Sequence, residues 1–158
     1  MRLTHVETPV GTLTIVASDA GVRNVLWEGE APPPDAVEGD GEVLGSAAVQ
    51  LQEYFAGSRT AFDVPLDLVG TPFQRRAWLE LAAIPFGSTI SYGEQARRIG
   101  RPRAARAVGA ANGRNPVPIV LPCHRVIGSG GALTGFGGGL DVKQVLLDHE
   151  AKVLATRG

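Results

Sequence analysis

The sequence predicts an α+β protein in two lobes, a strand-rich lobe over residues 1–70 and a helical lobe over residues 71–158. Three observations carry this. Short β-rich runs separated by turn signals fill the first third. Apolar stripes of helical period, each with start and stop signals, fill the second half. The charge also reverses between them. Residues 1–70 hold three arginines against eleven carboxylates, a net −8. Residues 71–158 hold twelve lysines and arginines against five carboxylates, a net +7, so the overall −1 conceals a strong asymmetry. A basic half suits a polyanion, and salt bridging between two lobes is the bland alternative.

In the first lobe, residues 12–17 are β-rich and follow a Pro9-Val10-Gly11 turn signal. Residues 22–27 follow a second turn at residues 18–21, and with residues 2–7 they suggest an antiparallel meander. Residues 31–35 form a stiff, proline-rich surface loop. A helix is expected over residues 46–56, with Val49, Leu51, Tyr54 and Phe55 near one face and Gly57 as its stop. Residues 62–66 read as a short extended piece, and the lobe boundary falls near Val69-Gly70.

In the second lobe, Thr71 can cap a helix, Pro72 suits its first turn, and Gln74 stands at the reciprocal capping-box position. Phe73, Ala77, Trp78, Leu81 and Ile84 supply its apolar stripe. Ser91 through Glu94 open a second helix in the same way, ending near Ile99-Gly100. Pro102 opens a third, with alanines at 104, 105, 107, 110 and 111, stopping near Asn112-Gly113. Two short helices joined by a tight glycine-containing turn make a helix-turn-helix candidate. A last helix is expected from a cap at Asp141 to about Leu154, with Val142, Val145, Leu146, His149 and Val153 on one face.

A hydrophobic fraction of 44% with 20% charge describes a globular chain rather than a disordered one. No apolar run approaches a membrane span, and residues 1–7 lack a signal-peptide core, so a cytoplasmic protein is expected. A single cysteine permits no internal disulfide and no multi-cysteine zinc site. No phosphate-loop pattern occurs. Neither a metal nor a cofactor is expected.

Two segments carry chemistry. Between residues 97 and 114 there are six arginines (97, 98, 101, 103, 106 and 114) and no acid. Arginine binds phosphate bidentately, and small side chains let a helix approach a groove closely. Few base-edge contacts are available, so weak sequence specificity is expected. The bland reading is a solvated basic helix. The second segment is residues 120–127, an apolar run broken by Pro122-Cys123-His124-Arg125. A lone cysteine is usually an inert core residue. Here a base is adjacent, a second cation (Arg125) favours thiolate, and a glycine-rich stretch over residues 128–139 allows close approach of a ligand. A thiolate needs a base and the base an orienting group. His124 is the candidate base. Glu150 is the preferred acid, with Asp148 and Asp141 as competitors. His5 and His149 read as ordinary strand and helix-face residues.

These residues resemble the alkylguanine-DNA alkyltransferases, also called methylated-DNA–protein-cysteine methyltransferases. The resemblance rests on Pro122-Cys123-His124-Arg125-Val126, Thr71-Pro72-Phe73-Gln74, Ile84-Pro85-Phe86-Gly87 and Ser91-Tyr92-Gly93-Glu94. It is continued by Ala105 to Gly109, Asn115-Pro116, the glycine-rich loop and Leu146 to Glu150. It covers residues 71–154, more loosely the first lobe. It implies a ribonuclease-H-like first lobe and a helix-turn-helix second lobe. It also implies single-turnover transfer of the alkyl group of 6-O-methylguanine to Cys123, and leaves open whether 4-O-methylthymine is repaired. The partner implied is double-stranded DNA bearing the lesion, entered through the minor groove by a monomer, with the damaged nucleotide flipped out. By resemblance, His124 is the base acting through a water and Glu150 orients it. Tyr92 contacts the base edge and can donate a proton, and Asn115 is a hinge. Arg106 fills the gap left by the flipped base. Ala105, Ala107, Gly109, Ala110, Arg114 and Arg125 belong to the expected DNA interface, and Phe136, Gly137 and Gly138 to the substrate pocket. Phe136 stands where many members carry Tyr, and Gly137 where some carry Ser, so both positions lack a side-chain donor.

Two other readings compete. Non-transferring relatives recognise lesions but replace the cysteine, commonly with Trp; Cys123 argues against this. A cysteine hydrolase or redox enzyme would turn over repeatedly, whereas the alkyltransferase reading predicts one event per molecule.

Overall fold

Alternating apolar side chains give the first strands a buried face. Leu3, Val6, Leu13, Ile15 and Val25 are all buried. In the computed structural model, which describes residues 1–157, these residues lie on β1 (Arg2–Thr8), β2 (Gly11–Ser18) and β3 (Gly21–Leu26). The meander expected from the sequence forms, with β1 antiparallel to β2 and β2 to β3. The order is β3-β2-β1-β4, where the two-residue β4 (Val37–Glu38) adds in parallel beside β1. Segment 62–66 reaches β3 through Val22 N–H, which donates to Pro65 O at 2.8 Å. A Cβ at Gly21 would fall 2.6 Å from the Pro65 carbonyl carbon, so only glycine allows this approach.

Helix α1 (Glu42–Phe55) begins four residues before the expected start at residue 46. Gly45 weakens the local helical signal by about 1 kcal/mol relative to Ala, but burial of Leu44 overrides it. Its buried face is Leu44, Ala47, Gln50, Leu51 and Tyr54. Val49 is 52% exposed, against expectation. Gln50 is buried because its amide exchanges two hydrogen bonds with the Asp63 backbone, at 2.8 and 3.0 Å.

Contacts divide the chain into Met1–Val69 and a second unit that starts at Gly70 and takes in the remaining residues, Gly158 itself lying outside the described residues. The mixed α+β class is therefore observed, with the sheet in the first unit and most helices in the second. Helix α2 (Pro72–Glu80) carries the complete capping box. Gln74 N–H donates to Thr71 Oγ1 at 3.1 Å, and Thr71 N–H donates to Gln74 Oε1 at 3.0 Å. A short strand, β5 (Ile90–Ser91), leads into α3 (Tyr92–Arg98), capped by Ser91. Helix α4 (Ala105–Gly113) starts three residues after Pro102, because residues 101–104 form the turn instead. Ala77, Ala96, Ile99, Val108 and Ala111 form the core of this three-helix arrangement, with Phe73 and Tyr92 packed against it.

That core encloses a polar pair. Asn112 Nδ2 donates to Gln95 Oε1 at 2.7 Å, and Gln95 Nε2 donates to Asn112 Oδ1 at 3.0 Å and to Ala77 O at 3.1 Å. Trp78 Nε1 donates to Ala111 O at 2.6 Å. These bonds fix how α3 and α4 meet on α2. The last strand, β6 (Val126–Ile127), pairs in parallel with β5. The last helix, α5 (Leu140–Arg157), buries Lys143, Leu146 and Glu150. Two expectations fail here: Val145 is 45% exposed, and Asp141 lies inside the first turn rather than capping it.

Gln95→Ala should lower the unfolding free energy by about 1–3 kcal/mol, because the Asn112 amide is left buried without a partner. Urea unfolding measures this, and an unchanged midpoint would show that the pair is dispensable.

Candidate active site

Pro122 ends an apolar run, and Cys123–Arg125 forms a single 3-10 turn before β6. All three side chains are buried: Cys123 is 6% exposed, His124 0% and Arg125 5%. The backbone leading into the turn is strained. Ile119 has φ +72°, and it is the one non-glycine residue with positive φ among those described. A β-branched residue there costs on the order of 1–3 kcal/mol. Asn115 holds the strained loop together: its Nδ2 donates to Leu121 O at 2.8 Å, and its Oδ1 accepts from Val117 N–H at 3.0 Å.

Glu150 projects from α5 into the back of the turn. Its Oε2 lies 2.6 Å from His124 Nε2 and accepts from Arg125 Nη2 at 3.0 Å. Its Oε1 accepts from Arg125 Nε at 2.9 Å and from the Gly87 backbone N–H at 2.8 Å. Arg125 also donates to Ile84 O at 2.7 Å and lies 5.5 Å from the Phe86 ring centre. Because Nε2 donates to a carboxylate, Nδ1 carries the lone pair. His124 Nδ1 is, among the described residues, the one buried side-chain polar atom with no hydrogen-bond partner.

Burial pushes the Glu150 carboxyl up, but hydrogen bonds from His124 and Arg125 together with their charge outweigh it and hold the group at about 2. Arg125 is permanently charged, so this direction does not depend on protonation of His124. Burial pulls His124 down more than Glu150 raises it, which leaves a neutral imidazole at rest. Burial pushes the Cys123 thiol up to about 11; the Asn115 amide and the charge of Lys143 pull the other way. The resting sulfur is therefore a thiol, and it needs a base to become a nucleophile.

The structure corrects two readings of Arg125. It is not a DNA-contacting residue, because its guanidinium is consumed inside the fold by Glu150 and Ile84. Nor is it the cation acting on Cys123: that is Lys143, fully buried and absent from the sequence-based assignments. Lys143 shares the row of Leu146 and Glu150 at helical spacing, which is the signal that points to it.

Outside the turn lies a cavity of about 470 Å³, with Tyr92, Arg106, Gly109, Ser129, Thr134 and Gly135 among its walls. The Thr134 hydroxyl donates to Tyr92 Oη at 3.0 Å. Phe136, Gly137 and Gly138, expected in a pocket wall, are not among its lining residues, and neither is Cys123. Ser129 and Thr134 are wall residues that sequence reasoning missed. A larger hollow of about 660 Å³ in the first unit touches Arg2, Asp19 and Asp40. On α4, Arg106, Ala107 and Ala110 are exposed and Ala105 and Gly109 half-buried, while Val108, Ala111 and Asn112 face the core. Arg114 is exposed at the end of the helix. Arg97 and Arg98 are paired with Glu94, which leaves Arg101, Arg103, Arg106 and Arg114 of the six without a carboxylate among the described residues. Exposed His5 bonds Thr14 and Glu38, and half-buried His149 packs on Phe86.

The chain belongs to the 6-O-methylguanine DNA methyltransferase family. Residues 1–68 match the ribonuclease-like domain of that family and residues 72–152 its DNA-binding domain. A relative from Mycolicibacterium paratuberculosis, a methylated-DNA–protein-cysteine methyltransferase, is 50% identical over 93% of this chain and 90% of its own length. One of the same name from Methanosarcina acetivorans is 44% identical over 91% and 94%. The crystal structure of Mycobacterium tuberculosis OGT in complex with DNA has TM-score 0.91 and 45% identity, covering 97% of this chain and 94% of that one. No described helix is long and apolar enough to cross a membrane.

Glu150 is a stability element with a defined pH signature. Its folded value of about 2 lies below its ordinary 4.5, so its contribution is complete above pH 4.5 and is lost as pH falls toward 2. Glu150→Gln should cost about 3 kcal/mol near neutrality, since Arg125 is left buried without a counter-charge. The variant's stability should also change less than that of the native chain through this acid window. Thermal melts at a series of pH values check both; parallel acid limbs would overturn the assignment.

Proposed function

We propose that this protein repairs DNA by direct reversal, taking the alkyl group of 6-O-alkylguanine onto Cys123 Sγ once per molecule. One observation carries the reading: a buried thiol stands next to a histidine whose Nε2 is locked to Glu150 and whose Nδ1 is an unpaired buried acceptor. Family membership and the DNA-bound relative support it.

The chemistry follows from these groups. His124 Nδ1 takes the Cys123 proton through a bridging water, and Glu150 stabilises the imidazolium that forms. The thiolate attacks the alkyl carbon. An S–C bond forms and the C–O bond breaks, its electron pair passing to the guanine oxygen. Tyr92, in the cavity wall, donates a proton so that guanine leaves neutral. The thioether is too stable to reverse, and this ends the protein's activity. A reaction that spends a free thiol belongs in a reducing compartment such as the cytoplasm.

The target atom is inaccessible in a stacked duplex, so the nucleotide must be extruded at a cost of a few kcal/mol. The protein acts as a monomer entering the minor groove: on the α4 face, exposed alanines and Gly109 allow close approach, and Arg101, Arg103, Arg106 and Arg114, which pair with no carboxylate among the described residues, face the phosphates. Arg106 lines the same cavity as Tyr92, which suits it to fill the space of the extruded base.

Incubation with a duplex carrying 6-O-methylguanine should add one methyl mass to the peptide containing Cys123, with one lesion repaired per molecule. An intact lesion at excess protein, modification elsewhere, or repeated turnover would sink the proposal. Arg106→Ala should slow repair of duplex lesions at least tenfold while leaving transfer from free 6-O-benzylguanine nearly unchanged. Equal losses on both substrates would contradict its role in extrusion.

A further inference from the structure

The glycine-rich stretch over residues 128–139 carries two hydroxyl side chains, Ser129 and Thr134. Both line the cavity beside Tyr92, and Thr134 is bonded to the phenol in two ways. The two bonds are unequal. The Thr134 hydroxyl donates to Tyr92 Oη at 3.0 Å, an ordinary distance between hydroxyls. The Tyr92 hydroxyl donates back to Thr134 O at 3.4 Å, beyond the usual range for such a bond. The phenol oxygen thus receives a firm hydrogen bond while its own proton is loosely held. A proton donor stands this way before its acceptor arrives.

Both partners are held in place from behind. Tyr92 opens α3, and its ring packs on the three-helix core. Gly109 of α4 lies against the ring, since a Cβ there would sit 3.7 Å from Tyr92 Cδ1 and Cε1. On the loop side, Gly128 N–H donates to Ala132 O at 2.7 Å and closes the turn ahead of Thr134. The Thr134 carbonyl accepts from Lys143 Nζ at 3.0 Å. Among the described residues, Thr134 is the one side chain of the loop hydrogen-bonded to the phenol. Phe136 has no hydroxyl and Gly137 no side chain, so neither can take its place.

We propose that Thr134 is a positioning residue for the transfer: by donating to Tyr92 Oη, its hydroxyl turns the phenol proton toward the departing guanine and stabilises the phenol oxygen as that proton leaves. This rests on the alkyl-transfer reading above. As the S–C bond forms and the C–O bond breaks, the Tyr92 proton passes to guanine, while the Thr134 proton stays on Thr134 and bonds the oxygen left behind. His124 then releases the thiol proton to water, and Tyr92 recovers a proton from water. The one proton lost by Cys123 therefore balances the one gained by guanine. Thr134 is exposed, and an exposed hydrogen bond contributes little in water. A nucleotide filling the cavity excludes that water and strengthens the bond at the moment of transfer.

The test compares the native chain with Thr134→Val and Thr134→Ser. Valine removes the hydroxyl, nearly keeps the shape, and keeps the carbonyl bonded to Lys143. Single-turnover transfer from 6-O-benzylguanine is followed across substrate concentration, with iodoacetamide alkylation of Cys123 alongside. Both reagents alkylate the same sulfur, but iodide leaves without a proton. In Thr134→Val the limiting transfer rate should fall about tenfold, with the half-saturating concentration and the iodoacetamide rate unchanged. Thr134→Ser keeps the donor and should stay within about threefold of the native rate. In a Tyr92→Phe background, Thr134→Val should cause no further loss, because the hydroxyl acts through the phenol. An unchanged limiting rate in Thr134→Val, an equal fall in Thr134→Ser, an equal fall with iodoacetamide, or a full further loss in Tyr92→Phe overturns the proposal. Absence of benzyl transfer to the native chain is a separate result, which overturns the alkyl-transfer reading and this proposal with it.

Discussion

The second unit is organised around one buried carboxylate. Glu150 accepts hydrogen bonds from His124, twice from Arg125, and from the Gly87 amide. It therefore ties α5 to the catalytic turn and to the turn at residues 84–87. A lone carboxylate at this depth would be neutral, because desolvation penalises its charge. Hydrogen bonds from His124 and Arg125, with the permanent charge of Arg125, reverse that balance and keep it ionised. The ionised form then selects the imidazole tautomer, so the position of one guanidinium decides which nitrogen of His124 can act as a base.

This arrangement separates the arginines by task. Arg125 is spent inside the fold, on Glu150 and on a backbone carbonyl. Arg101, Arg103, Arg106 and Arg114 are exposed and pair with no carboxylate among the described residues, so their charge is available to a polyanion. Burial keeps the sulfur a thiol at rest, and in the proposed reaction its proton passes to His124. Reactivity follows from the local geometry and is not a standing property of the sulfur.

Much of this was legible in residue order. The capping box at Thr71 and the cap at Ser91 are local signals, and both helices start where those signals stand. The three strands follow their turn signals within a residue or two. His124 and Glu150, far apart in sequence, meet at 2.6 Å, and Cys123 is buried in the same turn as His124. What failed was set by tertiary context. Arg125 read as a surface cation because nothing local reveals that Glu150 and Ile84 await it. Lys143 was passed over because lysine is ordinarily solvated, although its spacing to Leu146 and Glu150 places it on the buried row. Gly45 hid the first turn of α1, where burial of Leu44 outweighs propensity. The strain at Ile119 has no signature in an apolar run, and the glycine-rich loop gave no pattern by which Thr134 could be preferred to Phe136 as a cavity wall.

The dependence of the site on Glu150 is tested most directly by nitrogen NMR of the His124 ring near neutral pH. The account predicts a neutral imidazole with the proton on Nε2 and a bare Nδ1, and loss of that fixed tautomer in Glu150→Ala. A ring protonated on Nδ1 in the native protein, or an unchanged tautomer without Glu150, would contradict it.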